Sequence, residues 1–243
     1  MTTVFQQVRE EIARQPPGAI LALEDFVLPI ENTAALAKSL SRLSQNGTLR
    51  RLVKGLYYKP AIGILGEIST PPDKSLLLKL LALYKDKISY MTGTNVYNKM
   101  GLTTQVANEY VIASDKPRSP VQVGPTRVRF IRSHVKVPIT DTVVIQLLDA
   151  IWEIKNIPAN TPAKAAQVLL GQLRKLTPTQ RQALATHAQA YPPLTRALTG
   201  LFLETLGEKT LSAQLKKSLN PLSTFKIALD TSVFPASRTW NIL

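Results

Sequence analysis

The stretch LSQNGTLRRLVKGLYYKP, Leu43 to Pro60, decides how the first quarter of this chain is read. It opens as the end of a helix. Leu36, Leu40 and Leu43 recur at i, i+4 and i+7, the spacing of one buried helical face. Lys38, Arg42 and Gln45 repeat that spacing on another face. Asn32 or Thr33 can cap the start, because their side-chain oxygens accept from first-turn amides. Asn46-Gly47 stops the helix, since glycine readily takes the left-handed backbone that closes a C-terminus. Thr48–Val53 and Leu56–Lys59 then read as two short strands, with Lys54-Gly55 as the tight turn between them.

Upstream, Val4, Phe5, Val8 and Ile12 place a helix over residues 2–14, which Gln15-Pro16-Pro17-Gly18 ends. A short apolar run, Ala19 to Leu23, follows. Glu24-Asp25-Phe26 then read as one helical turn before Pro29. The order of helix, short strand, turn, longer helix and hairpin is that of a winged helix-turn-helix domain over residues 1–62. In such a domain the longer helix enters the major groove and the hairpin lies along the backbone or minor groove.

Charge supports that reading. Lys38, Arg42, Arg50, Arg51, Lys54 and Lys59 fall within a segment that holds no acidic residue. A solvated structural face usually mixes signs, because unmixed charge repels itself. Ala34, Ala35, Lys38, Ser39 and Arg42 are expected on the exposed face of the longer helix, with Thr33 at its head. Lys38 or Arg42 could donate to guanine N7 and O6, and Ser39 to a base edge or phosphate. Arg50, Arg51 and Lys54 would touch phosphates. Alternation sends one of Tyr57 and Tyr58 to the core. The other hydroxyl could reach a phosphate, and Tyr57 is counted among the candidate DNA contacts.

The whole chain has 243 residues, 44% of them hydrophobic, and a formal net charge of +14. That excess favours polyanionic partners. The absence of cysteine excludes disulfides, thiolate catalysis and iron–sulfur clusters, and suits a reducing compartment. The opening residues are amphipathic with acidic members, so no secretory signal is expected. The most apolar run, Leu76 to Leu83, is interrupted by Lys79 and too short to span a bilayer. The expected location is the cytoplasm, with no membrane partner.

Residues 61–72 hold two glycines and two prolines and read as a seam between domains. Beyond it, helices are expected over 73–87, 94–100, 140–155, 162–176, 178–190, 193–206 and 209–219. Strands are expected at Glu109–Ala113 and Thr126–Val135, around a turn-rich loop from Ser114 to Pro125. The tail from Thr224 reads as irregular. The fold class expected is α+β: an N-terminal winged helix-turn-helix domain followed by a larger, mainly helical domain with a small β-sheet, residues 70–243.

A second basic cluster comprises Lys116, Arg118, Arg127, Arg129, Arg132 and Lys136. In TRVRFIRSHV, Arg127 and Arg129 alternate with Val128 and Phe130, as in a half-buried strand with a basic outer face. This could be a second nucleic-acid surface or an ordinary solvated face. Enzyme signals are weak. Asp141, Glu153 and Lys155 have the D…E-x-K spacing of a metal-dependent nuclease. That chemistry needs E-x-K on a strand, whereas helical periodicity covers this segment. Gly207-Glu208-Lys209-Thr210 lacks the glycine-rich lead of a P-loop. His134 and His187 have no second ligand at metal spacing. No catalytic residue, metal or cofactor is expected.

The segments ALAKSLSRLSQNGTLRRLVKGLYYKP, MTGTNVYNKMGLTTQVANEYVIASD, PPLTRALTGLFLETLG and FPASRTWNIL follow one another along most of the chain. In that order they resemble AbiEi-type antitoxins of type IV toxin–antitoxin (abortive infection) systems, or a closely related group of bacterial winged-helix proteins. The resemblance implies repression of the protein's own promoter through inverted repeats in double-stranded DNA. It also implies functional neutralisation of a cognate nucleotidyltransferase toxin, without a stable complex being required. By position, Lys38, Ser39, Arg42, Arg50, Arg51 and Lys54 would carry DNA contact. The resemblance carries over no antitoxicity residues; the basic strand from Arg127 to Arg132 is this reading's own candidate for such a surface, engaging the RNA that the toxin modifies. Two other readings stay open at this point: a plain winged-helix transcription factor whose larger domain senses a ligand or dimerises, and a metal-dependent nucleic-acid-processing enzyme.

Overall fold

A computed structural model describes residues 3–26, 32–64, 66–68, 70–83, 88–116, 118–137 and 139–243. Thr3 begins the first helix, α1 (Val4–Arg14), through a capping box with Gln6. Val8 and Ile12 are its buried face. The chain continues into β1 (Ile20–Ala22) and a 3-10 turn over Leu23–Asp25, where the Asp25 carboxylate accepts from the Ala22 amide at 2.7 Å. Pro29 lies outside the described residues.

The next helix, α2 (Thr33–Gln45), buries Leu36, Leu40 and Leu43 as their spacing predicts. Its cap differs from expectation: Asn32 is the N-cap residue but makes no side-chain capping bond. At the other end Gly47 takes a φ of +83°, the backbone that the Asn-Gly stop requires. The hairpin β2 (Arg50–Val53) and β3 (Leu56–Tyr58) follows, turning at Lys54-Gly55, with Gly55 also at +83°. These strands form an antiparallel three-stranded sheet in the order β1-β3-β2. Leu21, Leu49 and Tyr57 join Val8, Ile12 and the α2 leucines in one core cluster.

The predicted seam contains structure instead. Two short strands, β4 (Ala61–Gly63) and β5 (Gly66–Ile68), pair antiparallel there, and α3 (Asp73–Leu83) packs against β1. The helix expected to reach residue 87 is described as far as Leu83; residues 84–87 lie outside the description.

The chain divides into two compact units, Met1–Lys85 with Val121–Arg127, and Asp86–Pro120 with Val128–Leu243. The boundary therefore lies beyond the expected 62–70 region, because β4, β5 and α3 pack with the first unit. In the second unit, β6 (Ser89–Thr92), a strand not anticipated from sequence, pairs antiparallel with β7 (Glu109–Ser114). Between them lies α4 (Thr94–Lys99). Then β9 (Thr126–Arg132) lies beside β7; β8 (Val121–Val123) precedes it within the loop expected over Ser114–Pro125.

Five helices complete the chain: α5 (Thr142–Trp152), α6 (Pro162–Arg174), α7 (Pro178–Ala188), α8 (Pro193–Thr205) and α9 (Lys209–Lys217). Pro162, Pro178 and Pro193 each start a helix, where the missing N–H costs nothing. The core centres on α5 and α8, both nearly all apolar inward. The tail is irregular, with a 3-10 turn at Ser237–Trp240 and a single parallel bridge between Phe225 and Ile242. The class is α+β with small sheets. No helix among the described residues is long and apolar enough to cross a membrane.

Candidate functional site

The first candidate surface is built by α2 and the β2–β3 hairpin. Thr33, Ala34, Lys38 and Arg42 are exposed on α2, and Arg50, Arg51 and Lys54 on the hairpin. Within this set the cations differ in what they do. The Arg42 guanidinium sits 5.1 Å from the centre of the Phe5 ring, a cation–π contact that orients it. Arg50 is ion-paired with Glu67 at 3.0 Å. Lys38, Arg51 and Lys54 have no ion-pair partner among the described residues.

Four residues from the basic segment and its neighbours depart from expectation. Ser39 is 5% exposed, and its hydroxyl donates to the Ala35 carbonyl at 2.8 Å. It lies three residues after Leu36 and four before Leu43, so it belongs to the leucine stripe and faces inward. Tyr57 is buried in the core cluster instead of reaching a phosphate. Tyr58 is buried too, because β3 is the central strand and is covered on both faces. Lys59 is engaged at the end of α1: its ammonium donates to the carbonyls of Ile12 at 2.8 Å, Ala13 at 3.2 Å and Gln15 at 2.5 Å. It thereby satisfies the carbonyls left open at the end of α1.

The second basic cluster is drawn from both units. Arg127 belongs to the first unit, and the remaining members to the second. Along β9 the expected alternation holds, with Arg127 and Arg129 exposed and Val128 and Phe130 buried. Arg129 donates through Nε to Glu109 at 2.8 Å. Lys116 and Lys136 are exposed and Arg118 is half-buried.

Arg129 and Arg132 border a cavity of about 430 Å³ inside the second unit. Its other walls include Thr92, Thr94, Tyr97, His134, Trp152 and Asn156, with Asp149 at its base. Asp149 lies in α5 and is 3% exposed. Its Oδ2 accepts from Tyr90 at 3.0 Å and Thr92 at 2.8 Å, and its Oδ1 from Tyr191 at 2.6 Å. Burial raises its carboxyl above the ordinary value, against the pull of these three hydroxyls. Burial also raises the Tyr90, Tyr97 and Tyr191 hydroxyls, and the Asp149 charge adds to it, so all three stay protonated. His134 lies between Trp152, edge-on at 4.4 Å, and Tyr191, tilted at 4.5 Å. Burial lowers it below the ordinary histidine value, so it is a neutral ring near pH 7. Sequence reading passed over this site. Its signal was a lone acid, Asp149, in the apolar run VVIQLLDAIW, since a carboxyl in such a face must find buried partners.

The D…E-x-K residues do not converge. Asp141 is the N-cap of α5, accepting from Val143 at 2.9 Å, whereas Glu153 follows its last residue. An eleven-residue helix separates them by about 16 Å. Lys155 is exposed in the turn beyond. His187 is half-buried at the end of α7, and no group of three metal-ligating side chains occurs among the described residues.

Residues 7–178 match a family of unknown function, DUF6088. No curated protein is significantly similar in sequence. The fold resembles that in the crystal structure of the RV2827C protein from Mycobacterium tuberculosis, with a TM-score of 0.50 and 12% identity over 94% of this chain and 86% of that one.

Proposed function

The chain belongs to the DUF6088 family, and within it we propose a winged-helix DNA-binding protein that represses its own promoter. The observation that carries this reading is the joint surface of α2 and the β2–β3 hairpin. A helix with exposed Lys38 and Arg42 runs directly into a hairpin with exposed Arg51 and Lys54, on a β1-β3-β2 sheet. Small Ala34 at the head of α2 lets the helix approach base edges closely. Arg42 reads a base, while Arg51 and Lys54 hold phosphates.

A mobility-shift titration on the protein's own upstream region tests it. Arg42→Ala should cost about 1–3 kcal/mol on that site and little on random DNA. Equal affinity of the unaltered protein for promoter and random DNA would remove the reading.

The antitoxin role is proposed on the resemblance alone. Its test is co-expression with a nucleotidyltransferase-like toxin encoded beside the gene, where rescue of growth is expected. Absence of rescue against a verified active toxin would discard it. A second reading, a regulator whose larger unit senses a ligand, is favoured by the cavity above Asp149.

A further inference from the structure

We propose that the cavity bordered by Arg129, Arg132, His134 and Trp152 is a binding site for a nucleotide. The cavity of about 430 Å³ falls within the range that small organic ligands occupy. Its walls differ in chemistry. Two arginines stand on the β9 side, and Glu109 engages only Nε of Arg129, leaving its terminal N–H groups to hold an anion. In the same lining, the partly exposed Trp152 offers a flat surface for a base to stack on, with the His134 ring packed steeply against it. At the remaining edge the Asn156 amide donates to Glu153 at 2.9 Å, which fixes it and leaves its oxygen able to accept from a base edge. Two acids also line the cavity, Asp149, whose oxygens both accept from buried hydroxyls, and Glu153, which accepts from Asn156, so the two arginines supply the charge that an anion needs there. A phosphate joined to a planar, hydrogen-bonding ring matches these three walls together.

Two sources share this chemistry: a free mononucleotide and an unpaired nucleotide of RNA. The site lies wholly within the second unit, so the promoter-binding result does not bear on it.

The test is calorimetric titration of the full chain with AMP, UMP, adenosine, inorganic phosphate and a short unstructured RNA. AMP or UMP is expected to bind at sub-millimolar concentration. Arg132→Ala and Trp152→Ala should each weaken binding about tenfold, and Lys164→Ala, an exposed cation of α6 outside the cavity, should leave it unchanged. Thermal melting of each variant checks that the fold persists, and Arg132→Lys should recover part of the affinity. Binding of RNA alone, with the same dependence on Arg132 and Trp152, supports the site with a polymer as its source. Three results would overturn it: no heat with any probe, inorganic phosphate binding as tightly as AMP, or nucleotide affinity indifferent to both substitutions.

Discussion

Arg50 on the β2–β3 hairpin donates to Glu67 on β5 at 3.0 Å, so one cation of the basic surface is neutralised from within the protein. Both side chains are about half exposed, and the pair adds little to stability. Its consequence is for DNA. Glu67→Gln should free Arg50 for a phosphate, raise affinity for random DNA at low salt, and steepen the salt dependence by about one unit. Binding isotherms over a salt series would report it. An unchanged slope would mean that Arg50 lies away from the DNA backbone.

Ser39 gives a sharper contrast between sequence and fold. Its hydroxyl is satisfied inside α2, so Ser39→Ala should leave promoter affinity intact and move stability by no more than about 1 kcal/mol. Lys38→Ala, one position earlier and fully on the exposed face, should weaken promoter binding. Parallel mobility shifts and denaturant melts of the two variants distinguish them. If Ser39→Ala weakened DNA binding as much as Lys38→Ala, the inward assignment would fail.

Sequence reading succeeds where the signal is local. Leucines at i, i+4 and i+7 located α2, and Asn46-Gly47 located its end, because both signals are local. Arg127 and Val128 alternate as a strand should. The misses involve partners distant in sequence. Lys59 reads as one more surface cation until the end of α1 arrives beside it. Tyr57 and Tyr58 cannot both be placed inside until β3 is known to be the central strand. The cavity needed Thr92, Arg132 and Asp149 from three separate segments, and no spacing rule links them.

Asp149 should leave a signature in the pH dependence of stability. Burial raises its native value, so the folded state keeps this proton after the unfolded chain, near pH 3.9, has lost it. Its contribution is therefore complete at lower pH and declines as pH climbs towards the native value. Asp149→Asn removes that titration. The stability of the variant relative to the unaltered protein should rise as pH increases from about 3 to 7, as read by denaturant unfolding at matched pH. A difference that stayed flat would show that Asp149 ionises in the folded state as it does unfolded. Asp149→Ala, which leaves three buried hydroxyls without their acceptor, should cost about 2–4 kcal/mol at the acid end of that range, and its cost should shrink as pH rises because the same titration is removed.

Gly200 in α8 is fixed by the indole of Trp240. A β-carbon at that position would lie 2.2 Å from the ring carbon Cη2 and 2.4 Å from Cζ3. The ring cannot swing aside easily: Trp240 is 2% exposed, and its Nε1 donates to Glu204 at 2.5 Å, one helical turn from Gly200. Alanine ordinarily stabilises a helix by about 1 kcal/mol over glycine, so propensity alone predicts a gain from Gly200→Ala. Overpacking works in the opposite direction and is typically larger, about 1–3 kcal/mol or more. The expected outcome is a net loss, with the melting temperature falling by several degrees. The cause is read from a double-mutant cycle. Trp240→Leu alone opens a void and destabilises, but combined with Gly200→Ala the two losses should sum to less than their parts, because the methyl then occupies space the indole has left. Strict additivity would separate the two residues and trace the glycine to some other feature of α8.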